Sequence, residues 1–125
     1  MNVLRNVHEA LAAGGALLDV HPLAYDAAVR VEGRGLGYVD ESLFERVLSE
    51  MEDGVAAVVA AGLFEEEGLL ERDVVERFED GAELLEFASE WENLRVPAQL
   101  RRRLRSVDRP VEMVERLRFR LFRRT

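Results

Sequence analysis

The spacing of hydrophobic residues changes along this chain between a helical period and a strand period. Apolar residues at helical spacing, with an asparagine placed to cap them, predict a first helix over Asn2–Ala12. The glycine pair Gly14-Gly15 can take the left-handed conformation that ends a helix. The apolar run Ala16–Val20, which stops at His21-Pro22, is typical of a strand buried on both faces of a sheet.

The middle of the chain predicts a hairpin and then a long helix. Residues 25–39 contain two strand-like segments on either side of a glycine-rich turn, which indicates a β-hairpin. Ser42 is followed three residues later by Glu45, and this spacing is a helix capping box. Apolar residues then keep helical spacing as far as Ala61, and Gly62 follows as a stop signal.

Strands and helices also alternate in the C-terminal part. Leu69–Phe78 predicts a strand with β-branched residues at its centre. Asp80, with Glu83 three residues later, opens a predicted helix, and Ala98–Arg105 predicts a shorter one. Val111–Phe122 alternates between apolar and charged residues, which indicates a half-buried strand.

Length and composition indicate a single domain over residues 1–125. Hydrophobic residues make up 48% of the 125 residues, enough for one core. The chain has no cysteine and no apolar run near the roughly 20 residues of a membrane span. We therefore expect a cytoplasmic protein with no membrane partner.

Charge is distributed unevenly, and all 17 basic residues are arginine. Residues 95–125 contain 11 arginines and three acidic residues, whereas residues 1–94 contain six arginines and 22 acidic residues. We expect the two regions to pair with each other, for instance Glu71 and Asp73 with the arginines of the last strand.

Glu65–Glu67 is interpreted as a solvated loop. The run Arg101–Arg105 has no interleaved aromatic residues, so we expect no nucleic-acid partner.

The stretch Asn6–Pro22 resembles a landmark of class I S-adenosylmethionine-dependent methyltransferases, in which a helix ends at a glycine pair and leads into the fifth strand. The later order is similar too: a long helix ending at Gly62, a strand at Glu71–Phe78, a helix and a final strand. Ala13 replaces the family's usual proline. The resemblance implies an α/β fold with the C-terminal half of this Rossmann-like enzyme: a three-stranded mixed sheet with helices, plus the 25–39 hairpin.

The same resemblance implies that the half that binds S-adenosylmethionine would precede Met1. We therefore expect no cofactor for the isolated chain unless a donor-binding partner chain supplies that half. Gly33–Gly37 imitates a glycine-rich cofactor loop, but the acidic residues found about 20 positions later lie inside the long helix. The hairpin interpretation is preferred for this segment.

Asp19, His21 and Tyr25 are the candidate pocket residues, because they follow or end the strand at which ligands collect in sheets of this type. His21 could act as a base there, or it could simply end the strand. No residue is assigned a catalytic or cofactor-binding role. The two histidines, His8 and His21, do not have metal-ligand spacing, so no metal site is expected.

Three functions remain open at this level. The chain could be a non-catalytic, self-associating methyltransferase-like protein, an acceptor-binding enzyme subunit, or a piece of a longer methyltransferase. Whether it is an enzyme is therefore undecided, and the isolated chain is expected to be inactive. We expect a homo-oligomer, most simply a dimer, in which Ala16–Val20 pairs with its copy or the 25–39 hairpin covers the other protomer.

Overall fold

A computed structural model describes residues 3–125 of the chain, so the predicted cap at Asn2 lies outside the described residues. The elements, in chain order, are α1 (Val3–Ala10), β1 (Ala16–Pro22), β2 (Asp26–Val31), β3 (Arg34–Asp40), α2 (Glu45–Ala60), β4 (Phe64–Phe78), α3 (Gly81–Ser89), α4 (Ala98–Arg105) and β5 (Val111–Arg124). A short 3-10 turn, Ser42–Phe44, precedes α2. In the part of the chain described, no helix is long and apolar enough to cross a membrane.

The five strands form one antiparallel sheet, in the order β1-β5-β2-β3 with β4 also paired to β5. The prediction of a three-stranded mixed sheet with a separate hairpin is therefore wrong. The hairpin joins the sheet through β2, whose Ala28, Val29 and Arg30 pair with Val114, Met113 and Glu112 of β5. β5 has 14 residues, which is long enough for three partner strands. β4 pairs with β5, as the expected pairing of Asp73 with the arginines of the last strand requires.

The β2–β3 hairpin is confirmed, with a tight turn at Glu32-Gly33. Val31 pairs with Arg34, so only these two residues connect the strands. Both have positive φ, 51° at Glu32 and 79° at Gly33, as a type I′ turn requires. The remaining glycines of the Gly33–Gly37 segment lie in β3, so the segment does not form a cofactor loop.

The start of α2 differs from the prediction. Ser42 does not cap the helix with its side chain; its backbone N–H donates instead to Asp40 Oδ1 at 2.8 Å. The chain then makes the 3-10 turn before α2 begins at Glu45. By contrast, the capping interaction predicted at the start of α3 is present, because the Glu83 N–H donates to Asp80 Oδ1 at 2.9 Å.

The chain divides into two compact units, each with its own core. The first unit comprises residues 1–21, 46–72 and 117–125. It contains α1, β1 and α2, and the later half of β5. Its core consists of Val55 and Val58 from α2, Phe64 from β4 and Phe122 from β5, and apolar residues of α1 pack against them.

The second unit comprises residues 22–45 and 73–116. Its buried residues come from the hairpin, the end of β4, α3, the segment before α4, α4 and the early half of β5: Ala27, Val29, Val39, Phe78, Leu84, Ala88, Val96, Leu100, Leu104, Val111 and Met113. Strands alternate between faces, so Val111 and Met113 lie on the same face of β5. The expectation of a single domain over residues 1–125 stays a prediction.

Candidate functional site

Two of the three predicted pocket residues, Asp19 and His21, lie together in the first unit. They are two positions apart on β1 and therefore share a face, and both are buried, with 9% and 7% of their surface exposed. Glu52 of α2 joins them, and one ligand atom of each residue lies within 4.8 Å of the others. These three residues form the Asp19 cluster.

Two arginines of β5 complete the surroundings of this cluster. Arg118 Nη2 donates to Glu52 Oε1 and lies 3.9 Å from Asp19 Oδ2. Arg120 Nη1 also reaches Glu52 Oε1, at 3.3 Å, and its Nε donates to Glu66 Oε1 at 3.0 Å. Both arginine side chains are mostly buried, with 20% and 17% of their surface exposed. The cluster is therefore part of a continuous ion-pair network.

The ion pair between Arg120 and Glu66 favours the charged forms of both groups. The hydrogen bond from Arg120 lowers the pKa of Glu66, and the same bond raises the pKa of Arg120. The Arg120 guanidinium also stacks over the Phe122 ring, 4.9 Å from its centroid. These contacts fix Arg120 firmly beside Glu52.

The Asp19 cluster has the ligand types of a divalent-cation site, but its electrostatics oppose a cation. An ion would have to displace Arg118 from Glu52 and would sit beside two guanidinium groups. Asp19 Oδ2 and Arg118 Nε are buried and have no hydrogen-bond partner among residues 3–125. The arrangement is therefore that of an ion-pair network, in which arginine guanidinium groups occupy the positions that a metal ion would need.

Tyr25, the third predicted pocket residue, belongs to the second unit. Its backbone carbonyl accepts the N–H of Glu41 at 2.8 Å. The sequence did not predict that Glu52 and Arg118 lie next to Asp19, because these residues belong to elements that are distant from β1 in the chain.

Charge pairing across β4 and β5 follows the expectation in part. Asp73 accepts from Arg116 Nη1 at 3.2 Å, as predicted. Glu65–Glu67 is not a loop but the start of β4, in which Glu66 pairs with Arg120 and Glu67 with Arg123 at 2.9 Å. The hydrogen bond from Arg123 lowers the pKa of Glu67.

A second group of interest, which the sequence did not indicate, is a carboxyl pair in the second unit. Glu41 is buried, with 4% of its surface exposed, and its carboxyl hydrogen-bonds that of Glu115. Burial, together with the charges of Glu115 and Asp26, raises the pKa of Glu41 to about 7. Burial also raises the pKa of Glu115. The two carboxyls therefore titrate as a pair, and the pair keeps a proton at a pH above the usual range of a glutamate.

Comparison of the chain with protein-family models, with curated proteins and with solved structures finds no match. The resemblance to class I methyltransferases therefore stays a prediction that rests on the sequence alone.

Proposed function

We propose that the protein is a non-catalytic, self-associating protein that forms a homodimer along the outer edge of β1. One observation carries the proposal: β1 is a terminal strand of the sheet, and its outward side chains are apolar and exposed. Leu18 has 58% and Val20 43% of its surface exposed. An apolar edge strand of this kind is a template for pairing with another chain.

The other outer strands are protected by charge or by a neighbouring segment. β4 carries eight charged residues among its 15, which discourages pairing with another strand. The end of β3 is bridged, because Asp40 and Arg95 exchange backbone hydrogen bonds at 2.8 Å. The two polar side chains of β1 before its proline, Asp19 and His21, are buried, so its outer face presents no charge.

A second copy of this chain fits that edge for reasons of charge and symmetry. The chain has a net charge of −8, and copies would repel each other over most of the surface. The β1 edge avoids this repulsion because its exposed side chains are neutral. Antiparallel pairing of two β1 strands around a two-fold axis would place the Leu18 and Val20 side chains of both copies together.

Sedimentation equilibrium tests the proposal, and the expected species has twice the 14.2 kDa mass of the chain. Leu18→Lys should give a monomer, because a charge would enter the paired edge. Leu69→Lys is the matched control: Leu69 lies on β4 and has the same 58% exposure, and its substitution should leave the dimer intact. Circular dichroism and thermal unfolding confirm that both variants fold.

Amide hydrogen exchange gives a second readout that does not depend on a variant. The β1 amides that do not bond to β5 should become more protected as protein concentration rises. A monomer at ~100 µM, or equal dissociation by Leu18→Lys and Leu69→Lys, contradicts the proposal. Concentration-dependent protection confined to residues 25–39 would instead assign the interface to the hairpin.

A second candidate function, that of an acceptor-binding enzyme subunit, is favoured by the unsatisfied polar atoms Asp19 Oδ2 and Arg118 Nε. Nuclear magnetic resonance spectra of the Arg118 Nε–H group and the His21 ring, recorded with small amides and alcohols, test it. Saturable shifts at both groups that Asp19→Asn abolishes would support a pocket there.

We also propose a cytoplasmic location, which rests on the sequence alone.

A further inference from the structure

A groove of about 500 Å3 opens on the second unit, lined by the end of α3, residues 91–97 and the first turn of α4. Three of its side chains can hold a ligand by stacking or by charged hydrogen bonds: Trp91, Arg95 and Arg101. Its volume falls within the range of roughly 300–1,000 Å3 found for small-ligand clefts. None of the residues that line the groove belongs to β1, so its role does not depend on the proposed self-association.

Trp91 stands half exposed in this groove. It has 51% of its surface exposed. The Phe87 ring packs against the indole, with ring centroids 6.2 Å apart. The Phe78 ring in turn packs against Phe87, with centroids 5.3 Å apart. The indole is therefore anchored to the core and still presents surface to a ligand. A held aromatic ring of this kind is a platform on which a planar base can stack.

The arginines beside Trp91 are unusual in this acidic protein. Residues 95–105 contain five arginines and no acidic residue, although the whole chain has a net charge of −8. α4 buries Leu100 and Leu104, which turns its arginines toward solvent. Within residues 3–125, Arg101, Arg102 and Arg105 form no ion pair, whereas four arginines of β5 do. The expectation that these arginines pair with the chain's own acidic residues is wrong for α4.

We propose that this groove binds a nucleotide, with the base on the Trp91 indole and the phosphate held by Arg95 and Arg101. Guanidinium groups suit phosphate because their planar N–H groups donate two parallel hydrogen bonds. Asp40 also lines the groove; its carboxylate accepts the Ser42 N–H, and the nearby charge of Arg95 also lowers its pKa, so Arg95 offsets the negative charge of Asp40. The ligand is either a free mononucleotide or one unit of a single-stranded nucleic acid, which departs from the expectation of no nucleic-acid partner.

Trp91 is the only tryptophan of the chain, so intrinsic fluorescence reports on this groove alone. Adenosine 5′-monophosphate should quench it saturably, with a Kd below ~1 mM. Adenosine should bind at least about tenfold more weakly, because it lacks the phosphate. An oligodeoxyadenylate that binds at least about tenfold more tightly than the mononucleotide assigns the groove to single strands, and similar affinities assign it to free nucleotides.

Matched arginine variants locate the binding site. Arg101→Ala and Arg95→Ala should each weaken binding of adenosine 5′-monophosphate at least about tenfold. Arg102→Ala and Arg105→Ala remove the same charge from the same helix but lie outside the groove, and each should change the Kd less than about twofold. Calorimetry should show that Trp91→Phe weakens binding of adenosine 5′-monophosphate. Binding of inorganic phosphate should not change in this variant, because phosphate has no base to stack on the ring.

Three results would overturn the proposal. The first is the absence of saturable quenching by either the mononucleotide or the oligonucleotide at millimolar concentration. The second is equal weakening by Arg101→Ala and Arg102→Ala, which would indicate an unspecific charged surface. The third is adenosine binding as tightly as its monophosphate. All four arginines are exposed, and thermal unfolding of each variant confirms that the fold is intact.

Discussion

The Glu41 carboxyl hydrogen-bonds the Glu115 carboxyl inside the second unit, where Glu41 has only 4% of its surface exposed. Two carboxylates so close together cannot both ionise without repulsion, and burial adds to that cost. One proton therefore stabilises the pair. Because this proton is lost near neutral pH, the pair links the stability of the fold to pH.

We expect the free energy of unfolding to fall as pH rises through the pKa of Glu41. This pKa is about 7 in the folded protein and 4.5 in its unperturbed state, so the folded state binds the proton more tightly. The stabilisation is complete below pH 4.5 and is lost as pH rises through about 7. Glu41→Gln keeps a neutral side chain at every pH and should remove this dependence.

Urea unfolding at a series of pH values measures the effect as the difference between Glu41→Gln and the natural protein. Relative to the natural protein, the free energy of unfolding of Glu41→Gln should increase by roughly 3 kcal/mol between pH 4 and pH 8. Glu92→Gln, at an exposed position of the same unit, is the control and should give a constant difference. A constant difference for Glu41→Gln as well would show that the pair does not share a proton.

Arg118 should contribute more to stability than a typical surface arginine, because it neutralises Glu52 and lies beside the buried Asp19. Arg118→Gln should lower the free energy of unfolding by about 2–3 kcal/mol, since it leaves these carboxylates uncompensated. Arg46→Gln is the control: Arg46 is 90% exposed in its ion pair with Glu50, and its loss should cost less than about 0.5 kcal/mol. Equal losses of stability would argue against the network. Arg124 is a poorer control, because its Nε donates to the His8 carbonyl at 2.6 Å.

Local patterns predicted most elements but not how the strands assemble. The hairpin at Glu32-Gly33 and the cap at Asp80 depend on neighbouring residues, so the sequence indicated both. The sheet depends on the pairing of β2 with β5, which joins residues far apart in the chain. No periodicity encodes such a pairing.

The same distinction applies to the candidate sites. Asp19 and His21 share a face of β1 because they are two positions apart, and this placement follows from the alternation of side chains along a strand; that they line a pocket stays a prediction. Glu52 and Arg118 reach them from other elements, and Glu41 meets Glu115 in the same way. Contacts between distant elements depend on the tertiary packing and could not be inferred from spacing.

We expect no micromolar binding of S-adenosylmethionine to this chain. The glycine-rich segment that could imitate a donor-binding loop is a hairpin, with Glu32-Gly33 as its turn. A Cβ at Gly37 would lie 3.3 Å from Leu100 Cδ1, so the backbone there packs against α4 and is not open to a ligand. Isothermal titration calorimetry with S-adenosylmethionine tests this, and adenosine 5′-monophosphate serves as the comparison ligand. A Kd below ~100 µM for S-adenosylmethionine would contradict the expectation.

Gly81 should be the glycine least tolerant of substitution, because α3 begins there in direct contact with the end of α4. A Cβ at Gly81 would lie 1.9 Å from the Leu104 carbonyl oxygen and 2.7 Å from its carbonyl carbon. Backbone atoms of a helix cannot move aside as a flexible side chain can. Gly81 also donates its N–H to the Val107 carbonyl at 3.1 Å, so separating the helices would lengthen this bond.

Gly81→Ala should therefore lower the free energy of unfolding by about 3 kcal/mol or more, which corresponds to a loss of roughly 10 °C in Tm. Gly35→Ala is the matched control in the same unit, since a Cβ there meets no atom within 4 Å. Its Tm should stay within about 3 °C of the natural value, because Gly35 also needs no left-handed backbone. Differential scanning calorimetry compares the two variants. Similar Tm values for both would mean that α3 and α4 do not approach each other as closely as Gly81 and Leu104 indicate.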